Sequence, residues 1–286
     1  MTCDGEVGRA LAEAIRRAVV TLPPDIVASL EAAYAAESSE TPRSQLRAIL
    51  DNLDMAGGLE TPLCQDTGIP LFFVTCPESG CKSYRGEITR AIERATGEVP
   101  LRPNVVDPLT RENTRTNTGM GMPHIVYSHH GRPYTDIVYM PKGAGSENMS
   151  VLRMLTPADG ALGVKRTVLD AVVGAGGNPC PPTIVGVGIG GSACMAPLLA
   201  KRALLRPLGT QSADPLAASL EKELSEELNR TGIGPMGLGG ATTVLGVHIE
   251  TAGCHTASLP VAVTLQCWAA RRAGIRIHAD GGIEQI

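Results

Sequence analysis

Apolar residues recur at helical spacing from near the start of the chain. Between positions 7 and 20, Val7, Leu11, Ala14, Ile15, Ala18 and Val19 fall on one side of a helix, with arginine and glutamate on the other. Pro23 and Pro24 interrupt the pattern, and a second helix is predicted over 25–36. Thr41-Pro42, in cap and first-turn positions, opens a third over 41–53. The first stretch, about 1–60, thus reads as a helical layer with no reactive chemistry on it.

The pattern changes after Thr61-Pro62. Residues 69–76 read as a short apolar strand and 84–96 as a helix. Between them and the next strand lies a polar, proline- and asparagine-rich loop over 100–124, too long for a mere connector, which favours function. Residues 124–128 and 134–140 read as a strand pair around His130-Gly131-Arg132. Asp159 is placed to cap a helix that runs to Val173 and ends at Gly174. A buried strand over 183–187 leads into Gly188-Ile189-Gly190-Gly191 and a helix over 195–205, and Asp214-Pro215 opens another that ends at Gly232. A second glycine loop, Gly234 to Gly240, feeds a strand over 242–249. A further strand is predicted over 261–266, then one or two helical turns over 268–273. With no internal repeat and no linker visible, the expectation is one α/β (mixed α+β) unit spanning 1–286, its helical N-terminal layer packed on a mixed-sheet core over about 61–286.

Composition narrows the class. Aliphatic residues are abundant and 25 basic side chains face 29 acidic ones, so disorder is excluded. The negative balance, with no basic run, argues against a nucleic-acid partner. No stretch approaches the roughly 18 unbroken apolar residues of a membrane span. The N-terminus has no signal-peptide pattern, so a cytoplasmic protein with reduced cysteines is expected. Eight cysteines then need an explanation.

The strand, glycine loop and helix over 183–200 suggest a dinucleotide fingerprint, but no second strand and no acidic residue follow at the required distance. What survives is a general anion site at a loop and helix N-terminus. The cysteines form no CxxC pair and no ferredoxin run. Cys76 and Cys81 read as structural, and Cys3 is given no role. Cys64 lies in a loop before a strand, Cys180 between prolines, and Cys267 at the end of a strand. Three thiols at loop tips, far apart in sequence, suit a cluster held by the folded chain.

These residues match a known pattern. The chain resembles the α subunit of the class I, iron–sulfur fumarate hydratases and L-tartrate dehydratases. The matching segments are Pro62-Leu-Cys-Gln-Asp-Thr-Gly68, Asn117-Thr-Gly119, Lys142-Gly-Ala-Gly-Ser-Glu-Asn148, Cys180-Pro-Pro182 with Gly188-Ile-Gly-Gly191, Gly234-Pro-Met-Gly-Leu-Gly-Gly240, and His255 through Gln266-Cys-Trp-Ala-Ala-Arg-Arg272. They span about 60–272 in the family's order.

The resemblance implies a [4Fe-4S] cluster held by Cys64, Cys180 and Cys267, with one iron left open as a Lewis acid. It implies that Gln65, Arg102, Gly143 and Gly145 bind a small dicarboxylate and that Asp66 and His255 move protons. His248 is read as structural, and Asp107 and Glu147 stay unassigned. The implied reaction is reversible hydration of fumarate to L-malate. The alternatives are dehydration of L-tartrate to oxaloacetate, or a non-catalytic metal-binding or scaffold subunit using the same cysteines for zinc. Because the chain stops soon after the last motif, a separate β subunit is expected, in a hetero-oligomer such as α2β2.

Overall fold

The computed structural model describes residues 5–99 and 101–286; Cys3 lies outside the described residues. In chain order the elements are α1 (Glu6–Val20), α2 (Pro24–Ala36), α3 (Glu40–Leu59), β1 (Ile69–Pro77), α4 (Arg85–Glu98), β2 (His124–His130), β3 (Tyr134–Lys142), α5 (Ala144–Glu147), β4 (Val151–Leu155), α6 (Gly160–Ala175), β5 (Thr183–Gly191), α7 (Met195–Ala203), α8 (Pro215–Asn229), β6 (Val244–Cys254), β7 (Leu259–Gln266), β8 (Ala273–His278) and β9 (Ile283–Gln285). The mixed α/β class is as the sequence implied. The chain folds into two compact units, one of residues up to Pro23, Asn52–Ala144 and Arg271–Ile286, the other of Pro24–Asp51 and Gly145–Ala270. The helices of the N-terminal layer are therefore shared out, α1 going to the first unit and α2 to the second.

The first unit is built on a five-stranded sheet of order β2-β1-β3-β8-β9. Phe72 and Val74 of β1, Ile137 and Tyr139 of β3, and Ala273 and Ile275 of β8 alternate onto one face. There they meet Leu11, Ile15 and Val19 of α1 and Ile88, Ala91 and Ile92 of α4 in one core. Phe72 and Tyr139 pack ring on ring with centroids 5.0 Å apart. The strands over 124–130 and 134–142 do not pair as a hairpin. β1 runs between them, parallel to β2 and antiparallel to β3. Its composition explains this: Pro70 to Val74 are all buried, and a strand apolar on both faces takes an interior place while the more exposed β2 takes the edge. Residues 268–272 are not helical but lead into β8, which β3 pairs with antiparallel.

The second unit has a four-stranded sheet of order β4-β7-β5-β6. Val185 and Val187 of β5 and Val261, Val263 and Leu265 of β7 point to the α6 and α8 side. On the other face the strand offers Gly186 and Gly188 to α7. A Cβ at Gly188 would stand 2.0 Å from the oxygen of Ala196, and one at Gly186 2.2 Å from that of Ala200. The glycines expected to form an anion-binding loop are thus part of β5, where they let α7 lie against the strand backbone. In both units an interior strand (β1, β5) has a parallel neighbour (β2, β6) and an antiparallel one (β3, β7). The start of the interior strand and the end of its antiparallel neighbour therefore share one end of each sheet.

Candidate functional site

In the first unit that end is formed by the turn before β1 and the residues after β3. Asp66 is fixed by three donors: its Oδ1 accepts from Gly68 N at 2.9 Å and Asn104 Nδ2 at 3.3 Å, and its Oδ2 from Ala144 N at 2.8 Å. Gly68 has φ +82°, and a Cβ there would sit 2.8 Å from Lys142 N, so the turn lies directly on the end of β3. A Cβ on Gly143 would meet Asp66 Oδ2 at 3.1 Å.

The long polar loop folds back onto the same turn. The main-chain oxygen of Arg102 accepts from Thr67 Oγ1 at 3.3 Å and from Asn117 Nδ2 at 3.1 Å. Asn117, buried and at φ +58°, also receives Asn104 N on its Oδ1 at 2.7 Å. With its backbone pinned, Arg102 keeps an exposed side chain, as does Gln65. Cys64, Gln65 and Arg102, with Pro62, Thr67 and Leu101, line a cavity of about 490 Å³. The first unit thus brings Cys64, Gln65, Asp66, Arg102 and Gly143 together.

The second unit brings Gly145, Cys180 and Cys267 to one end of its sheet, where Ile184 of β5 faces Gln266 of β7. Cys180, at φ +54°, accepts Trp268 N on its carbonyl oxygen at 3.2 Å, which ties its turn to the residue after Cys267. The oxygen of Pro181 accepts Met236 N at 2.7 Å, so the loop from Gly234 to Gly240 lies against the same turn. Its Gly237, at φ +75°, approaches so closely that a Cβ would be 2.7 Å from the Cα of Gly177. A Cβ on Gly145 would lie 3.0 Å from the oxygen of Asn178.

His255 lies elsewhere. It stands in the loop between β6 and β7, exposed, with its Nδ1 accepting Ala257 N at 3.1 Å. Cys254 faces Gly191 at one end of β5, while Gln266, next to Cys267, faces Ile184 at the other. Seven strand steps separate those ends, about 23 Å at roughly 3.3 Å per residue.

The remaining candidates have structural partners. His248 is buried with Nδ1 3.2 Å from the oxygen of Ala203. Asp107 accepts Leu109 N and Thr110 N, and these donors hold its carboxyl below the usual range. Glu147 pairs with Lys201 at 2.5 Å. Cys194 and Cys254 are exposed thiols. Cys76 and Cys81 form a disulfide rather than the reduced pair expected, because the turn through Gly80 (φ +90°) returns the chain to a Cα–Cα distance of 5.6 Å. Their sulfurs lie within 4.8 Å of a ring nitrogen of His129. Bonded to each other, they offer no thiolate to a metal.

Two site residues escaped the sequence reading. Asn104 holds Asp66, and Arg271 donates from Nη2 to the oxygen of Asp66 at 2.9 Å. Arg271 is 1% exposed, and its Nε and Nη1 are buried without a partner among the described residues. Its signal was the Cys-Trp-Ala-Ala-Arg-Arg motif, where only the cysteine drew a role.

The family model described as Fumarate hydratase (Fumerase) matches residues 8–276. A Methanocaldococcus jannaschii protein named "Putative L(+)-tartrate dehydratase subunit alpha" is 50% identical over 281 residues, 96% of this chain and 99% of its own length. The L(+)-tartrate dehydratase subunit alpha of Escherichia coli (strain UTI89 / UPEC) is 39% identical over 271 residues, covering 93% of this chain and 88% of its own. That of Escherichia coli strain K12 is 38% identical over 273 residues, with the same coverage. The chain belongs to the fumarate hydratase (Fumerase) family.

Proposed function

We propose that this chain is the α subunit of a two-subunit iron–sulfur hydro-lyase that reversibly hydrates fumarate to L-malate. The observation that carries the reading is the cavity walled by the thiol of Cys64, the amide of Gln65 and the guanidinium of Arg102, beside an Asp66 held by three donors.

The donor set fits a [4Fe-4S] cluster. Cys64, Cys180 and Cys267 are partly buried and outside any disulfide, whereas Cys194 and Cys254 are exposed. These three would hold the cluster, and when bound its open iron supplies a Lewis acid that makes hydroxide a better leaving group.

The chain's own residues do the rest. The planar fork of Arg102 grips a substrate carboxylate through two parallel hydrogen bonds, and Gln65 adds a third. Gly143 and Gly145 present backbone to the same anion, since neither has a side chain to block its approach. Three donors occupy about three of the four acceptor sites of the Asp66 carboxylate, leaving one for a proton of the leaving water. His255, proposed from the resemblance for the second proton, stands at the opposite end of the sheet from Cys180 and Cys267 and is not gathered with these residues.

A β subunit completes the enzyme, in an assembly such as α2β2; the relatives are themselves named as alpha subunits. The cytoplasm is the compartment that keeps the three thiols reduced. The names of those relatives favour a second substrate, L-tartrate, which would yield oxaloacetate. The test is the ratio of kcat/KM for L-malate and L-tartrate in the reconstituted pair. A ratio above one supports malate, and a ratio below one replaces it with tartrate.

A further inference from the structure

We propose that Cys76, Cys81 and His129 form a zinc site when the disulfide between the two cysteines is reduced. Strand register builds it. β2 runs parallel to β1 with His129 opposite Cys76, two places on from the Val74–Tyr127 pair, so the imidazole and the Cys76 sulfur share a face. The turn through Gly80 brings Cys81 to the same point, and one ligand atom from each of the three residues lies within 4.8 Å of the other two. Ligand atoms on a tetrahedral zinc stand roughly 3.5–3.8 Å apart, given Zn–S near 2.3 Å and Zn–N near 2.0–2.1 Å. Small side-chain movements therefore close the three residues on an ion once the bond between the sulfurs is gone.

The arrangement does not depend on that bond. Cys76 is buried in β1, with its Sγ 3.6 Å from the oxygen of Ser128. Three residues past Cys81, Tyr84 N donates to Tyr127 Oη at 3.0 Å and fastens the turn to β2. Thr75 Oγ1 and Ser128 Oγ, 3.0 Å apart, hold the two strands to each other. The segment over 76–84 is thus held at both ends, and reduction leaves two thiols beside His129.

Two thiolates and a neutral imidazole suit zinc rather than calcium or magnesium, which take oxygen ligands. His129 is exposed and Cys81 only partly buried, so the fourth position is open to water. The site stands apart from the proposed cluster ligands. Cys64 precedes β1, and Cys76 lies seven steps beyond its first residue, Ile69, about 23 Å at roughly 3.3 Å per residue.

The reductant is a dithiol of the kind that keeps cytoplasmic cysteines reduced. Its thiolate bonds to Sγ of Cys81, the less buried of the pair, and the S–S bond breaks with Cys76 leaving as thiolate. The second thiol of the reductant then displaces Cys81 and closes the reductant's own disulfide. Two electrons pass to the pair, and its two thiols give up their protons to solvent as zinc binds.

Zinc binding by the full chain, with and without reduction, tests this. Wild type, Cys81→Ser and His129→Ala are treated with a phosphine, which reduces disulfides without adding a competing thiol. They are then dialysed anaerobically against Zn²⁺, and bound metal is counted by plasma mass spectrometry. The other cysteines are common to all samples, so only differences matter. Reduction of the wild type should release two thiols and add one zinc per chain. Reduced Cys81→Ser should hold one zinc fewer than reduced wild type. His129→Ala should bind the added zinc at least about tenfold more weakly, since losing even a group that only orients a ligand costs that much. Reduction that releases no thiols, or that adds no zinc to the wild type, overturns the proposal, and that comparison needs no variant to fold. So does a Cys81→Ser chain that holds as much zinc as reduced wild type, or full affinity in His129→Ala.

Discussion

Arg271 donates from Nη2 to the main-chain oxygen of Asp66 at 2.9 Å while its guanidinium is 1% exposed. A buried cation is costly unless its donors are satisfied, yet Nε and Nη1 have no partner among the described residues. Holding the turn that carries Cys64, Gln65 and Asp66 gives a reason for keeping the charge there. Arg271→Lys keeps the charge and loses the planar fork. The expected result is a stability loss of about 1–3 kcal/mol by urea unfolding and a fall in kcat greater than the rise in KM. Unchanged kcat with normal folding would refute a positioning role.

The two classes of cysteine should separate by cluster loading. After anaerobic reconstitution, Cys180→Ser is expected to lose the visible absorbance and the iron, and Cys76→Ser to keep both. Equal loss in the two variants would contradict the ligand assignment.

Glycines 57 and 188 should respond in opposite ways to the same substitution. Gly188→Ala drives a Cβ to 2.0 Å from the oxygen of Ala196 and 2.7 Å from Ala200 N, both backbone, so α7 must shift. A loss of about 1–3 kcal/mol is expected. Gly57, in α3, has nothing within 4 Å of the new atom, and Gly57→Ala should gain about 0.4–1 kcal/mol. Thermal unfolding of the two variants compares them directly.

Glu37 makes stability depend on pH. It is 2% exposed, and its carboxylate accepts Ser39 N at 2.9 Å and Ala241 N at 2.7 Å. Burial pushes its pKa up, but these donors outweigh burial and hold the carboxyl below its usual value. A pKa depressed in the folded state contributes stability above the unfolded value, near 4.3, and that contribution is lost as pH falls through the folded one. Glu37→Gln should therefore cost about 1–3 kcal/mol at pH 7, and the difference from the wild type should shrink in acid. A pH-independent difference would show that the charge is not what matters.

Much of this molecule was legible in its sequence. Periodicity located α1, α2, α4 and β1 to within a residue or two, because each carries a one-sided or fully apolar pattern. Pairing was harder: alternation marks β2 and β3 as strands but says nothing of β1 lying between them. The short strands β4 and β8 went unseen because β7 and β3, which pair with them, are distant in sequence, and β9, which pairs locally with β8, is too short at three residues to carry a pattern. Gly188 to Gly191 misled, since glycine looks the same whether it frees a loop or lets a helix approach a strand.

The site was legible as motifs rather than as geometry. The turn from Pro62 to Gly68 and the loop carrying Arg102 do meet, and so do Cys180 and the segment after Cys267. Eleven residues lie between His255 and Cys267, and eight of them form an extended strand that sets the two apart. Arg271 was visible only as a member of the Cys-Trp-Ala-Ala-Arg-Arg motif, because spacing alone does not distinguish a buried arginine from a solvated one.

The central claim is a cluster-dependent hydro-lyase, and its most direct measurement is activity on dicarboxylates after anaerobic reconstitution with iron, sulfide and the β subunit. The expected result is a broad visible absorbance, about four irons per α chain, and loss of water from L-malate that air abolishes. A pair that takes up this iron yet dehydrates neither L-malate nor L-tartrate, or one that binds a single zinc and shows no such absorbance, would contradict it.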